Sequence, residues 1–152
     1  VVYVYFSPNE RDVCAAVASS MRYSSINLSG RLSLNGLVGL LYRADLVVSN
    51  DTGTLHLARA LGCPSVGIYW CGNAVHFGLF SAARHAIYLS WQMHCPLCGR
   101  HCMNDAPCGH DASFVSDVGV GEVLEGALAL YKRYARSATP ITAMTSLSSV
   151  TP

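Results

Sequence analysis

Two short stretches carry residues that can do chemistry. The first is Asn50-Asp51-Thr52-Gly53, with His56 three residues further on. It joins the apolar segment Asp45–Ser49 to a segment that ends at Gly62 and Pro64. A helix starting there would present unpaired backbone N–H groups and about half a positive charge, a natural phosphate site. Gly53 has no side chain to hold a ligand away. Thr52 and Thr54 add hydroxyl donors. The His56 ring can reach the same mouth and donate to a phosphate oxygen. Asp51 would repel a phosphate and better suits a helix cap or a sugar hydroxyl. The plainer reading is a cap and a turn, because Asp and Thr are common N-caps.

The second stretch is His94–Cys108, HCPLCGRHCMNDAPC. Cys95, Cys98, Cys102 and Cys108 read C-x2-C-x3-C-x5-C. A C-x2-C pair is a common zinc half-site, and four thiolates close a tetrahedral structural site. The pairs stand closer together than in a zinc ribbon. His94, His101 and His110 are alternatives to a thiolate. The spacing fits no standard ferredoxin run. The plainer reading here is a reduced, cysteine-rich loop. Cys14 and Cys63 read as core residues and Cys71 as a loop residue. His76 and His85 lie near loops and read as ordinary histidines.

The elements that must position these groups follow from the apolar pattern. Val1–Phe6 is a continuous apolar run, the mark of a buried parallel strand. Ser7-Pro8-Asn9-Glu10 then reads as a capping box, opening a helix to about Arg22 with Val13, Ala16 and Val17 inward. Ile26–Leu28 is a second strand. Leu34, Leu37, Val38 and Leu41 repeat at helical spacing, which predicts a helix over Ser33–Arg43. Asp45–Ser49 is a third strand, and Thr54–Leu61 a helix closed by Gly62. Ser65–Trp70 and Ala86–Ser90 are further strands. Val120–Tyr134 is a last helix, with Val123, Leu124, Leu128 and Tyr131 on its inner side. Ser137–Pro152 is rich in Ser, Thr and Pro and reads as a disordered tail. Alternating strands and helices imply an α/β fold, a Rossmann-like parallel sheet with flanking helices. In such sheets ligands bind beyond the carboxyl ends of strands, where Asn50–Gly53 falls.

Composition narrows the partners. The chain has 152 residues, 51% hydrophobic and only 12% charged, with a net charge of +1. Soluble domains carry roughly 25% charged residues, so this chain is expected to bury surface against a further domain or partner. Near-neutral charge implies no general attraction to nucleic acid or to an anionic membrane. No apolar run reaches the roughly 18 residues of a membrane span. The opening VVYVYFSPNER has no basic segment ahead of its apolar one, so it reads as a strand and not as a signal peptide. Seven cysteines, an odd number, argue for a reduced cytosolic chain. No G-x-G-x-x-G follows the first strand, which disfavours a Rossmann dehydrogenase.

Asp51-Thr52-Gly53-x-x-His56-x-Ala58-x-Ala60-Leu61-Gly62-x-Pro64 resembles the signature of glycosyltransferase family 9, the heptosyltransferase family. Ile26-Asn27-Leu28-Ser29-Gly30-Arg31-x-Ser33-Leu34 is similar to the strand and loop ahead of that signature, and Arg43–Ser49 to the strand feeding it. Ser7-Pro8-Asn9-Glu10 resembles the family's loop whose glutamate meets the donor ribose. The resemblance implies the C-terminal, donor-binding half of a GT-B fold. Residues 1–136 would be the nucleotide-sugar-binding domain, lacking its first strand and basic loop, and 137–152 the tail. The donor would be a nucleotide sugar of the ADP-heptose type. Thr52 and Gly53 would hold its phosphates, with His56 assisting and Asp51 near the nucleoside or sugar. Glu10 would meet the ribose, and Ser33 and Leu34 would lie near the base. The acceptor, a lipid-linked saccharide of lipopolysaccharide, and the general base would belong to an N-terminal domain outside this sequence. The transfer would invert the anomeric centre. The enzyme would be cytoplasmic, peripheral at the inner membrane. Where the family has a Gly-Pro-Thr or Gly-Pro-Ser loop, this chain has Trp70-Cys71-Gly72-Asn73, and Trp70 is placed to stack on a base or to pack as an anchor. Two other readings stand beside this one: a non-catalytic nucleotide- or phosphate-binding module, and a zinc-stabilised interaction domain in which Asn50–Gly53 only caps a helix.

Overall fold

The computed structural model describes residues 2–4, 10–77, 83–106 and 108–135. It divides into two compact units, Val1–Arg43 and Ala44–Pro152.

In the first unit, strands β1 (Val2–Val4) and β2 (Ser25–Asn27) pair in parallel, with Val2 opposite Ser25 and Val4 opposite Asn27. Helix α1 (Arg11–Ser20) connects them. It starts later than the capping-box reading predicts. Glu10 is its N-cap and makes no side-chain capping bond, and Ser7 and Pro8 lie outside the described residues. The inward face also differs. Cys14 is fully buried, whereas Val13 and Val17 are exposed. Cys14 and Ala18 lie one helical turn apart and form the stripe against the strands; a sheet of two three-residue strands covers no more than that. After β2 the chain turns through an Asn27 side chain that accepts from the backbone N–H and hydroxyl of Ser29. Gly30 follows at φ 66°. Helix α2 (Leu34–Arg43) is capped by Ser33, whose hydroxyl accepts from Gly36 N–H at 3.2 Å. Leu37 and Leu41 are buried as the periodicity requires, while Leu34 stands exposed on the first turn.

The second unit is a parallel three-stranded sheet flanked by helices. Its order is β3 (Val47–Asn50), β4 (Ser65–Trp70), β5 (His85–Ser90). Asn50 pairs with Ile68, and Trp70 with Ser90. This parallel α/β arrangement is consistent with a Rossmann-like domain. Helix α3 (Gly53–Ala60) links β3 to β4. It ends in a Schellman closure: Cys63 N–H bonds to Ala58 C=O, Gly62 N–H bonds to Arg59 C=O, and Gly62 adopts φ 72°. Helix α4 (Cys71–Phe77) follows β4 directly, where the sequence reading places a loop. Cys71 is therefore a buried helical residue, and Cys63 is buried as expected. Helix α5 (Val120–Tyr134) has the expected bounds but a different inner face. Ala127 is buried, while Leu124, Leu128 and Tyr131 are largely exposed. Gly126 sets this rotation, because a Cβ there would run into the Tyr88 hydroxyl. The Tyr134 hydroxyl then ties the helix end to the Ala83 carbonyl.

The core of this unit gathers Leu55, Ala58, Cys63, Val66, Tyr69 and Cys71. Arg59 is buried with them and donates to the Tyr69 hydroxyl at 3.0 Å. The expected tail, Ser137–Pro152, lies outside the described residues.

Candidate functional site

The junction of β3 and α3 is built as a helix mouth. Asp51 N–H bonds to Ile68 C=O at 3.0 Å, which carries the sheet register one residue past β3. Thr52 is the N-cap, in extended conformation, and its hydroxyl accepts from Leu55 N–H. Ser49 and Thr52 share a hydroxyl hydrogen bond of 3.1 Å. The first intrahelical bond runs from His56 N–H to Thr52 C=O. Gly53 and Thr54 N–H therefore precede the hydrogen-bonded ladder of α3. An added Cβ at Gly53 would meet nothing within 4 Å, so the space over this backbone is open.

Asp51 and His56 form a pair at this mouth, with Oδ1 2.9 Å from Nε2. A carboxylate only accepts, so Nε2 carries the proton and Nδ1 is left for another partner. Asp51 is 11% exposed and His56 37%, so the carboxylate is sheltered and the ring is the reachable member. Asp51 thus orients a neighbouring side chain, a role the sequence reading did not give it.

Asp51, Thr52, Gly53 and His56 are brought together. Glu10, Ser33 and Leu34 belong to the first unit, where Glu10 opens α1 and Ser33 and Leu34 open α2. Each of these helix starts follows the carboxyl end of a parallel strand, the position at which α/β sheets bind ligands. His85 sits at the other end of its strand, bonded to the Ser65 hydroxyl at 2.8 Å. Burial pushes its pKa down, and the charges of Arg59 and Arg84 push the same way. It is a structural histidine. The side chain of His76, on α4, lies outside the described residues.

Trp70 is an anchor. Its indole N–H donates to Gln92 C=O at 2.9 Å, its ring meets Phe114 at 5.7 Å, and it lies over Gly72, where a Cβ would collide with it. Beside it is a cavity of about 350 Å³, lined in part by Trp70, Arg100, Cys102, Cys108, His110 and Phe114. Arg100 in this lining carries a charge that the sequence reading passed over.

The cysteine loop folds onto itself through a His94–His101 bridge. Cys95, Cys98, Cys108 and His110 place one ligand atom each within 4.8 Å of all the others. This group resembles a metal site of three cysteines and a histidine. Cys102, which the four-cysteine pattern includes, is not part of it: its thiol points at the Arg100 carbonyl, 3.5 Å away. His110 takes that place. The signal for it in the sequence is the Cys-Gly-His triplet at the loop's end. The backbone N–H of Leu97 lies against the Cys95 thiol and, with that of Cys98, lowers its pKa to about 6 despite burial. At Cys98 the Arg100 N–H pulls the pKa down, but burial and the neighbouring Cys95 and Cys108 outweigh it and raise the value.

Residues 1–105 match the model of glycosyltransferase family 9 (heptosyltransferase). The chain belongs to glycosyltransferase family 9. The family 9 match takes in both units' helix mouths and the first part of the cysteine loop. Two Haemophilus influenzae proteins are similar to part of the chain. Lipooligosaccharide heptosyltransferase 2 is 32% identical over 62 residues, which is 41% of this chain and 18% of that protein. Lipopolysaccharide core heptosyltransferase OpsX is 30% identical over 60 residues, 40% of this chain and 17% of its own length. The similarity to these curated relatives thus spans less than a fifth of their length. No solved structure matches the chain significantly.

Proposed function

We propose that this family 9 chain is the donor-binding portion of an inverting glycosyltransferase of GT-B architecture. It would hold a nucleoside-diphosphate sugar, of the ADP-heptose type, for transfer to a saccharide acceptor of lipopolysaccharide. The reading rests on one observation: a family 9 helix mouth whose leading N–H groups, at Gly53 and Thr54, precede the intrahelical bonds at the carboxyl end of a parallel strand, with open space where a Gly53 side chain would stand.

In this reading the diphosphate lies over Gly53 and accepts from the Gly53 and Thr54 N–H groups. The helix dipole alone is worth about 1 kcal/mol, so the direct hydrogen bonds must carry most of the affinity. His56, held by Asp51 through Nε2, offers Nδ1 as an acceptor to a hydroxyl of the ligand's sugar. When the acceptor hydroxyl attacks the sugar, charge grows on the departing diphosphate. Fixed N–H donors stabilise that charge without reorganising. The proton of the attacking hydroxyl goes to a base on the acceptor-binding domain. The enzyme works in the cytoplasm, against acceptors at the inner membrane.

Calorimetric titration of the chain with ADP, UDP and GDP tests this. Gly53→Val fills the open space with a branched side chain and strains no backbone dihedral, since Gly53 is not at positive φ. Saturable binding that Gly53→Val abolishes supports the reading, and the preferred base narrows the donor. Equal binding by the variant removes the mouth of α3 as the donor site.

A further inference from the structure

The cysteine loop brings three thiols and one imidazole together. We infer that Cys95, Cys98, Cys108 and His110 bind a single structural zinc ion. The inference is independent of the donor chemistry proposed above. Two of its ligands, Cys108 and His110, lie beyond residue 105, where the family match ends.

Geometry comes first. In a tetrahedral zinc site with bonds of about 2.3 Å to sulfur and about 2.0 Å to nitrogen, sulfur and nitrogen ligands stand about 3.6 Å apart and two sulfurs about 3.8 Å. Cys95 Sγ and His110 Nδ1 are 3.7 Å apart. All four ligand atoms lie within 4.8 Å of one another. That spacing encloses one ion. An iron–sulfur cluster, with bridging sulfides between its irons, needs its protein ligands further apart.

Ligand type comes second. Three thiolates and an imidazole are a soft to borderline set. They select zinc over calcium or magnesium, which take oxygen. Zinc imposes no geometry of its own and suits the mixed set. On binding, three thiols give up their protons to solvent and the imidazole binds neutral through Nδ1.

The surrounding loop explains why these four residues and no others converge. Gly99 and Gly109 both adopt the left-handed region, at φ 73° and 74°. The turn at Gly99 lets its N–H bond to Cys95 C=O and lets Cys95 N–H bond to Arg100 C=O, both at 2.8 Å. Cys95 and Cys98 thereby end on one side of a tight turn. Gly109 makes the corresponding reversal between Cys108 and His110. Three other candidate ligands are engaged elsewhere. His101 Nδ1 accepts from Met103 and Asn104 N–H groups, Asp105 accepts from His101 N–H, and Cys102 N–H is bonded to Met93 C=O with its thiol on Arg100.

Metal content of the full chain, purified under reducing conditions, is the test, together with Co2+ titration of the chelator-stripped chain followed by its visible absorption. Wild type and Cys102→Ser should each carry about one zinc and give the spectrum of a tetrahedral, thiolate-rich site. Cys98→Ser, Cys108→Ser and His110→Ala should each weaken binding by at least the roughly 10–100-fold that losing a mere supporting partner costs. His110→Cys should restore binding, with stronger sulfur-to-cobalt charge transfer, which separates loss of a ligand from loss of the fold. Full zinc in His110→Ala with loss in Cys102→Ser overturns the assignment in favour of four cysteines. Iron in place of zinc, or a folded wild-type chain that takes up neither Zn2+ nor Co2+, also overturns it.

Discussion

Thr52 makes one side chain answer two questions. Its hydroxyl caps α3 through Leu55 N–H and also meets Ser49. A cap of this kind is worth about 1 kcal/mol. Thr52→Ala should therefore lower stability by about that much in denaturant titrations, and Thr52→Ser should recover most of it. Gly53→Val should instead remove nucleotide binding with little change in stability. The pair separates capping from ligand holding at adjacent residues. The mouth was legible in the sequence because a capping threonine, a glycine and a histidine one turn on are local signals. The metal group was legible only in part. Spacing offered seven candidate ligands, four cysteines and three histidines, and spacing alone cannot rank them. The choice of His110 over Cys102 depends on two left-handed glycines and on the bond between Cys102 N–H and Met93 C=O, which are properties of the folded loop.

Helices and strands were found mostly where the apolar pattern put them, but their orientation was not. Strand β4 and helix α5 have their expected bounds. The inward face of α5 was misplaced because Leu124, Leu128 and Tyr131 are the larger apolar residues, whereas the contact with β5 is made through Gly126. Two glycines on this one helix give a sharp contrast. Gly126→Ala should destabilise by about 1–3 kcal/mol, since the new methyl meets Tyr88. Gly121→Ala meets open space and should stabilise by up to about 1 kcal/mol. Thermal melts of both variants decide this. Helix α4 escaped notice because Gly72 and Asn73 are poor helix formers, and its short span is set by packing beneath β4 and not by propensity. At the start of β5, His85 gives the sheet a pH dependence. Its folded pKa is lowered from 6.5 by burial, then by Arg59 and Arg84. The unfolded chain therefore takes up the proton first. Stability from this source is complete above about pH 6.5 and declines as pH falls below it. The melting temperature should drop on acidification from pH 7.5 to 5.5, and His85→Gln should lessen the drop.

Across the whole chain, a charged fraction of 12% meets a surface on which many large apolar side chains stay exposed, among them Val120, Leu34, Trp91 and Leu97. Such a surface associates. Sedimentation velocity should show an apparent mass that rises with concentration, and an unchanged monomer over a wide range would contradict this. Composition signalled the low charge, but the residues left uncovered emerged only from how the elements pack. The strand order carries a last consequence. Among the described residues, β4 is the strand bonded along both edges, to β3 on one side and β5 on the other. Its neighbours can each detach while it stays bonded to the remaining one; β4 itself is freed only when both sides open. Each β4 amide nevertheless faces one neighbour only: the even-numbered residues point toward β3, as the Pro64 and Ile68 carbonyls do, and the odd-numbered ones toward β5, as Ser65 N–H does. Deuterium exchange should therefore tell which edge opens first, with Val66 and Ile68 reporting detachment of β3 and Tyr69 that of β5.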